Sequence, residues 1–319
     1  MNYRQVGNTG ISVSEIGMGT WELGGEEWGD IAEDDAIEVL RYAFDRGITF
    51  FDTADVYGPG RSEQLLGRAF GGMDDQVVIA SKCGYQMGTD GWISRGGPKI
   101  PINLSSEHIL EACDDSLNRL ERERIDFYQM HGPPDADAWE EAFGAMDELK
   151  KAGKVAHYGV ALSGDMDVGL RVLNETGAST LMLTFNALEQ SAAEAVLPLA
   201  KQKGVGVFAR VPLASGFLTG TLSADTTFAA NDKRRVLARD EYLAQLERAE
   251  KLRFLADVKD VDSMAEGALK FVLEHDAIPS VVAGMMRPLE VDRNVKASSD
   301  PLPSDVVSRV RALYESGFA

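Results

Sequence analysis

Four polar side chains stand at the ends of three consecutive apolar runs. Asp52 and Tyr57 follow Ile48-Thr49-Phe50-Phe51, Lys82 follows Val77-Val78-Ile79-Ala80-Ser81, and His131 follows Phe127-Tyr128-Gln129-Met130. Taken singly, each has an ordinary reading: a cap for Asp52, a snorkelling Lys82, a packing Tyr57, a turn residue for His131 before Gly132-Pro133-Pro134. As a set they have a specific chemistry. A free tyrosine titrates at about 10, a nearby ammonium favours its phenolate, and a carboxylate holds that ammonium in place. The phenol then becomes a tunable general acid for a developing alkoxide, while an imidazole beside it can hydrogen-bond and orient a carbonyl oxygen. The set contains no nucleophile–base pair, and His108, His131, His157 and His275 stand singly, without metal-ligand spacing. Hydrolysis and metal chemistry therefore fit poorly, and no metal site is expected. Proton delivery to a carbonyl calls for a hydride source, and that must be a cofactor.

These residues need elements that bring three strand ends together. Short apolar runs alternate with amphipathic segments along the chain, giving eight candidate strands: Glu15–Thr20, Thr49–Thr53, Val77–Ser81, Phe127–Met130, Val155–Val160, Thr180–Phe185, Val205–Ala209 and Ser280–Ala283. Helical segments follow them. Asp34 to Arg46 carries Ile37, Leu40 and Phe44 on one face and stops at Gly47; Trp139–Lys151 stops at Gly153 and Ala192–Lys203 at Gly204. Ser105 should cap a helix by reaching the amide of His108. Glu241 to Lys270 reads as two helices, one more than the alternation needs, and Asp305–Tyr314 supplies another. Ahead of the first strand, Tyr3 to Val13 reads as a hairpin turning on Asn8 to Gly10. Eight strand–helix units favour an α/β (β/α)8 TIM barrel with an N-terminal β-hairpin and extra helices over an open sheet. An open nucleotide-binding sheet would show G-x-G-x-x-G after its first strand. The segment from Gly17 lacks the third glycine, and the segment from Gly204 lies at a helix-to-strand junction. Nothing resembling a linker or repeat divides residues 1–319, so one barrel domain is expected.

The chain has 319 residues, 44% hydrophobic and 26% charged, an ordinary globular composition. Its charge is less ordinary: 51 acidic against 32 basic residues give a formal net of −19. Such a surface repels nucleic acid and anionic membrane, so neither is expected as a partner. Because the acids are spread through helices, they fit either a high-salt source with an acidic proteome or simply an acidic enzyme. The two cysteines, Cys83 and Cys113, have no metal or disulfide spacing, and the N-terminus lacks an apolar signal core; a cytoplasmic protein is expected.

With these residues in view, the sequence resembles the aldo-keto reductases over nearly its whole length. The resemblance rests on an ordered series: Gly17-Met18-Gly19-Thr20-Trp21, Phe51-Asp52-Thr53-Ala54-Asp55-Val56-Tyr57-Gly58, Ser62-Glu63-Gln64-Leu65-Leu66-Gly67, Asp126-Phe127-Tyr128-Gln129-Met130-His131, Gly153-Lys154-Val155, the segment Val211 to Gly220, and Asn294. It implies Asp52, Tyr57, Lys82 and His131 as a catalytic tetrad with Tyr57 as the acid. It also implies a nicotinamide cofactor across the barrel mouth that gives hydride to an aldehyde or ketone. Gly19, Thr20 and Trp21 would border it. The family's Ser-Asn after the fifth strand is here Ala161-Leu162, and its Gln on the sixth is Met182, with Ser163 and Asn186 as nearby substitutes. Arg210 resembles the residue that packs near the nicotinamide. Pro212, Leu213, Ser215, Gly216 and Leu218 are expected cofactor contacts, and the Ser215–Gly220 loop is expected to wrap the pyrophosphate with backbone N–H groups.

Cofactor choice should be set in Gly284-Met285-Met286-Arg287-Pro288-Leu289-Glu290. Met286 stands where many relatives carry a base. Arg287 could grip a 2′-phosphate, which gives NADP as the expected cofactor. Glu290 could instead accept from a 2′-hydroxyl, which leaves NAD open. The substrate reading is a small carbonyl or alcohol compound. Trp21, Tyr85 and Trp92 are candidates to line its pocket along the Gly84–Leu104 loop, and Asp225–Arg235 is a candidate flap. Two other readings follow: an NAD-dependent sugar or alcohol dehydrogenase, and a cofactor-sensing regulatory barrel resembling ion-channel β subunits. The oligomeric state is not legible.

Overall fold

The computed structural model describes residues 1–25, 31–86, 101–228 and 232–319. Eight parallel strands close a barrel: β3 (Ile16–Gly19), β4 (Phe50–Asp52), β5 (Val78–Cys83), β6 (Ile125–Met130), β7 (Val155–Leu162), β8 (Thr180–Thr184), β9 (Gly206–Arg210) and β10 (Ser280–Gly284). They neighbour one another in chain order, and β10 returns to β3. All eight fall on the expected apolar runs. A separate antiparallel pair, β1 (Tyr3–Gln5) and β2 (Ser12–Ser14), forms the expected hairpin.

Alternation along each strand sends one set of side chains inward and the other toward the helices. Phe50, Ala80, Phe127, Ala161, Met182, Phe208 and Val282 form one interior cluster, which Val6 and Val13 of the hairpin join. Phe50 stacks on Phe208 at 4.4 Å, and Phe127 meets Phe208 edge-on at 5.3 Å. Aromatic pairs in these arrangements gain attraction beyond burial alone, and they fill the barrel so that it is a packed core rather than a pore. The hairpin closes the bottom. Asn8 N–H donates to the Gly204 carbonyl at 2.7 Å, and a Cβ on Gly7 would meet that oxygen at 2.1 Å, so only glycine permits the approach.

The helices pack outside: α1 (Glu33–Asp45), α2 (Arg61–Phe70), α3 (Ser106–Leu120), α4 (Trp139–Lys151), α5 (Met166–Glu175), α6 (Val196–Lys203), α7 (Arg239–Glu250), α8 (Met264–Leu273), α9 (Pro288–Val295) and α10 (Ser304–Glu315). Ser105 Oγ accepts from His108 N–H, the expected cap. One expectation needs correction: the helix read as Ala192–Lys203 starts at Val196, behind a short 3-10 turn over Ser191–Ala193. Pro198 explains it, because proline lacks the N–H that a helix interior needs and is tolerated only in a first turn. No helix among the described residues is long and apolar enough to cross a membrane.

Candidate active site

The ends of β4, β5 and β6 bring the four chemistry-bearing residues into one cluster at the mouth. Asp52 pairs in register with Ala80, so Lys82, two residues on, projects inward on the same face. The Lys82 ammonium lies 2.8 Å from both carboxylate oxygens of Asp52, 2.6 Å from the Thr53 carbonyl and 3.3 Å from the Tyr57 hydroxyl. The Tyr57 ring packs edge-on to His131 at 5.8 Å and stacks with Trp21 at 5.9 Å. Lys82 is 1% exposed and Asp52 4%, so the ion pair is taken out of water. Thr20 and Ser62 fix the carboxylate's loop from behind: Thr20 Oγ1 donates to the Asp52 carbonyl and shares a 2.6 Å hydrogen bond with Ser62.

Burial dominates the electrostatics. It pushes Asp52 upward and Lys82 downward, while their mutual attraction opposes both shifts. Burial, then the Asp52 charge, hold the Tyr57 phenol well above its ordinary value, with Arg210 acting in the lowering direction. The sequence expectation that Lys82 would draw this pKa down is therefore reversed, first because burial removes the water that would solvate a phenolate and then because the Asp52 carboxylate repels it. Burial also drives His131 well below the usual imidazole range, with Lys82 and Arg210 adding to it. The imidazole is neutral, and its Nδ1 is buried without a hydrogen-bond partner. A protonated phenol, a neutral imidazole and two nearby cations can donate hydrogen bonds to an oxygen that gains negative charge.

The other half of the rim, at the ends of β7 to β10, is organised differently. Gly19 and Gly284 pair across the β3–β10 closure, and the Glu22 carboxylate stands where a Cβ on Gly284 would be. Arg210 reaches over the mouth from β9, donating to the Leu162 carbonyl at 3.1 Å and to Ser163 Oγ at 3.5 Å. Several expected contact residues are already committed. Asn186 is 2% exposed and gives its amide to the Val211 carbonyl, while its oxygen accepts from Leu188 N–H. It ties loops together and does not present its amide to a ligand. Met182 and Ala161 lie in the interior cluster. Pro212 and Leu218 are buried, and the N–H groups of Gly216 and Leu218 both go to the Leu213 carbonyl. Ser215 and Gly216 adopt left-handed backbone, φ 56° and 97°, which makes the sharp turn after β9. Thr20, with its hydroxyl engaged as above, supports the Asp52 loop.

At α9 the guanidinium of Arg287 is paired with Glu290, whose other oxygen accepts from Met286 N–H at 2.8 Å. Arg287, expected from the sequence to be available for a phosphate, thus has Glu290 as its counter-charge. Asn294 is buried on the same helix. Trp92 lies outside the described residues, as do 87–100 of the mouth loop and 229–231 of the candidate flap. Within that flap, Arg234 pairs with Asp232, reaches the Ser215 carbonyl at 3.4 Å and covers the Phe228 ring. Sequence reasoning missed two contributors. The Thr53 carbonyl is backbone and has no residue-type signal. Glu22, which acts electrostatically on Tyr57, sits on a short 3-10 turn beside Trp21 that a strand–helix reading passes over.

Residues 15–315 match the family model described as the aldo/keto reductase family. The chain is 30% identical to aldo-keto reductase YhdN of Bacillus subtilis over 99% of this chain and 94% of that protein. It is 29% identical to an NADH-specific methylglyoxal reductase of Escherichia coli, over 98% of each. Glycerol dehydrogenase AKR11B4 from Gluconobacter oxydans superposes with a TM-score of 0.84, at 26% identity over 99% of this chain and 96% of that one. With its closed eight-stranded barrel and a family match over nearly its whole length, the chain belongs to the aldo/keto reductase family.

Proposed function

We propose that this oxidoreductase reduces a small aldehyde or ketone, with Tyr57 giving the proton, Lys82 and Asp52 setting its surroundings and His131 orienting the carbonyl oxygen. One observation carries the reading: the buried Lys82 ammonium bridges the Asp52 carboxylate and the Tyr57 hydroxyl at the barrel mouth. A nicotinamide cofactor supplies the hydride when bound. The chain offers it the rim from Gly19 and Trp21 across Arg210 and the Ser215–Gly216 turn to Gly284, Arg287 and Asn294; the unpartnered His131 Nδ1 and this glycine-edged opening fit that use. As the carbonyl oxygen gains charge, Tyr57 releases its proton to it and the positive charges of Lys82 and Arg210 stabilise what remains. Because burial holds the phenol protonated, the reductive direction is ready near neutrality, whereas alcohol oxidation needs the phenolate and so a higher pH.

The Arg287–Glu290 pair bears on the cofactor. A 2′-phosphate would have to take Arg287 from Glu290 and sit beside that carboxylate, whereas a 2′-hydroxyl can donate to it. NADPH, the expectation from sequence, gives way in this reading to NADH as the tighter ligand. The Escherichia coli relative named NADH-specific agrees with that direction.

The test is Tyr57→Phe, assayed with NADH and a panel of small aldehydes and ketones. Loss of the proton donor should lower kcat by about a thousandfold, as general acids of this kind contribute 10²–10⁴. Fluorescence titration should find NADH affinity unchanged. A variant with near-normal kcat would remove Tyr57 from the mechanism.

A further inference from the structure

Between α3 and the loops that follow β4 and β5 lies a cavity of about 470 Å3, separate from the cluster that would move the proton. Asp55, Tyr85, His108, Glu111, Asp115 and Arg119 line it. His108, Glu111, Asp115 and Arg119 recur along one face of α3, at the spacing that stacks side chains on a helix.

Three features of this cavity point the same way. Asp55 is 3% exposed, and its Oδ1 has no hydrogen-bond partner. A buried carboxyl oxygen without a donor costs free energy that a ligand's donor would restore. Secondly, Arg119 is already engaged, its Nε donating to Glu63 at 2.6 Å, whereas Glu111 and Asp115 have no ion pair among the described residues. The uncompensated charge is therefore negative. Thirdly, no group of three acidic, histidine or cysteine side chains among the described residues converges closely enough to hold a metal ion. Volume and dispersed carboxylates fit an organic cation instead.

We propose that this cavity binds a small aliphatic ammonium compound, with Asp55, Glu111 and Asp115 as counter-charges. Tyr85 divides it from the proton-transfer cluster, because the same ring that lines the cavity packs against His131 at 4.7 Å. Burial, then the neighbouring Glu63 charge, push Asp55 up to about 8, against the lowering influence of Arg119, the Val56 N–H and Lys82. An ammonium beside it would ionise it, so binding at pH 7 should release about one proton per ligand.

The test is calorimetry on the cofactor-free protein in 0.5 M salt with 1,4-diaminobutane as probe, butane-1,4-diol as neutral control, and two buffers of different ionisation heat. The diamine should bind one to one with proton release. The diol should bind at least about tenfold more weakly, which corresponds to 1.4 kcal/mol. Asp55→Asn and Asp115→Asn should each weaken diamine binding at least about tenfold, while Glu247→Gln, an exposed acid on α7, should leave it unchanged. Absence of binding would overturn the proposal. So would equal binding by the Asp115→Asn and Glu247→Gln proteins, the signature of diffuse attraction to a surface of net charge −19. Because no turnover is measured, this outcome is independent of the role given to Tyr57.

Discussion

The two halves of the barrel rim solve opposite problems. The half at β4–β6 carries its polar groups directly on strand ends, buried and locked by several partners each: Lys82 alone has three oxygens within 2.8 Å. The half at β7–β10 carries most of them on the turns and helix starts beyond its strands, some buried and some exposed, and it spends many of its donors on itself. Asn186, Gly216, Leu218 and Arg287 all have internal partners. A site that moves a proton must hold its atoms to a fraction of an ångström, and strands do this better than loops. A site that takes and releases a long cofactor can be built from loops, and its details vary from one chain to another.

This contrast predicts a gradient of mutational effects. The largest should come from Lys82→Met, which strands a buried carboxylate. Loss of one partner of a buried pair costs about 3–5 kcal/mol, read as a lower urea midpoint, and kcat should fall with it by about a thousandfold. A well-folded, active variant would mean that the β4–β6 half is no more constrained than the other. Glu290→Gln should act at the next level. Freeing Arg287 of its counter-charge should shift the NADPH/NADH affinity ratio toward NADPH by about tenfold, with kcat little changed. A ratio that stays put would take α9 out of cofactor selection. The smallest effect should be Ser163→Ala, which removes a long, exposed contact to Arg210; less than a twofold change in cofactor affinity is expected by the same titration.

A pH prediction separates the halves in another way. Asp55 is held at about 8 in the fold against about 3.9 for a free aspartate, so the folded state prefers its proton. Its stabilising contribution is complete below pH 4 and is lost as pH rises through 8. Urea midpoints should therefore fall between pH 5 and 9, and Asp55→Asn should flatten that decline. A profile of the same slope in both proteins would show that other groups govern it.

The same contrast explains what could be read from the residues alone. All eight barrel strands and the helix ends at Gly153 and Gly204 were legible because periodicity and stop signals act locally. So was the meeting of Asp52, Tyr57, Lys82 and His131, since a parallel barrel must gather its strand ends. Partner choice in loops was not legible. Arg287 and Glu290 stand three residues apart on a helix start, a spacing that permits their pairing but does not enforce it. The fate of Asn186 depended on a carbonyl 25 residues away, at Val211, and no local pattern reports that. The direction of the Tyr57 shift was misjudged for a related reason: spacing gives the neighbours of a phenol but not how completely water is excluded from it.

The hairpin at the bottom of the barrel imposes an order on synthesis. It is made before nearly everything it seats against: Asn8 on Gly204, Arg4 on the Leu273 carbonyl, Asn2 on Ser298. Val6 and Val13 can close the interior only after Phe208 and Val282 have been made. The nascent chain must therefore carry its stopper loose until those later segments have been made. A truncated product, however complete its early strands, would leave the foot of its aromatic core open to water.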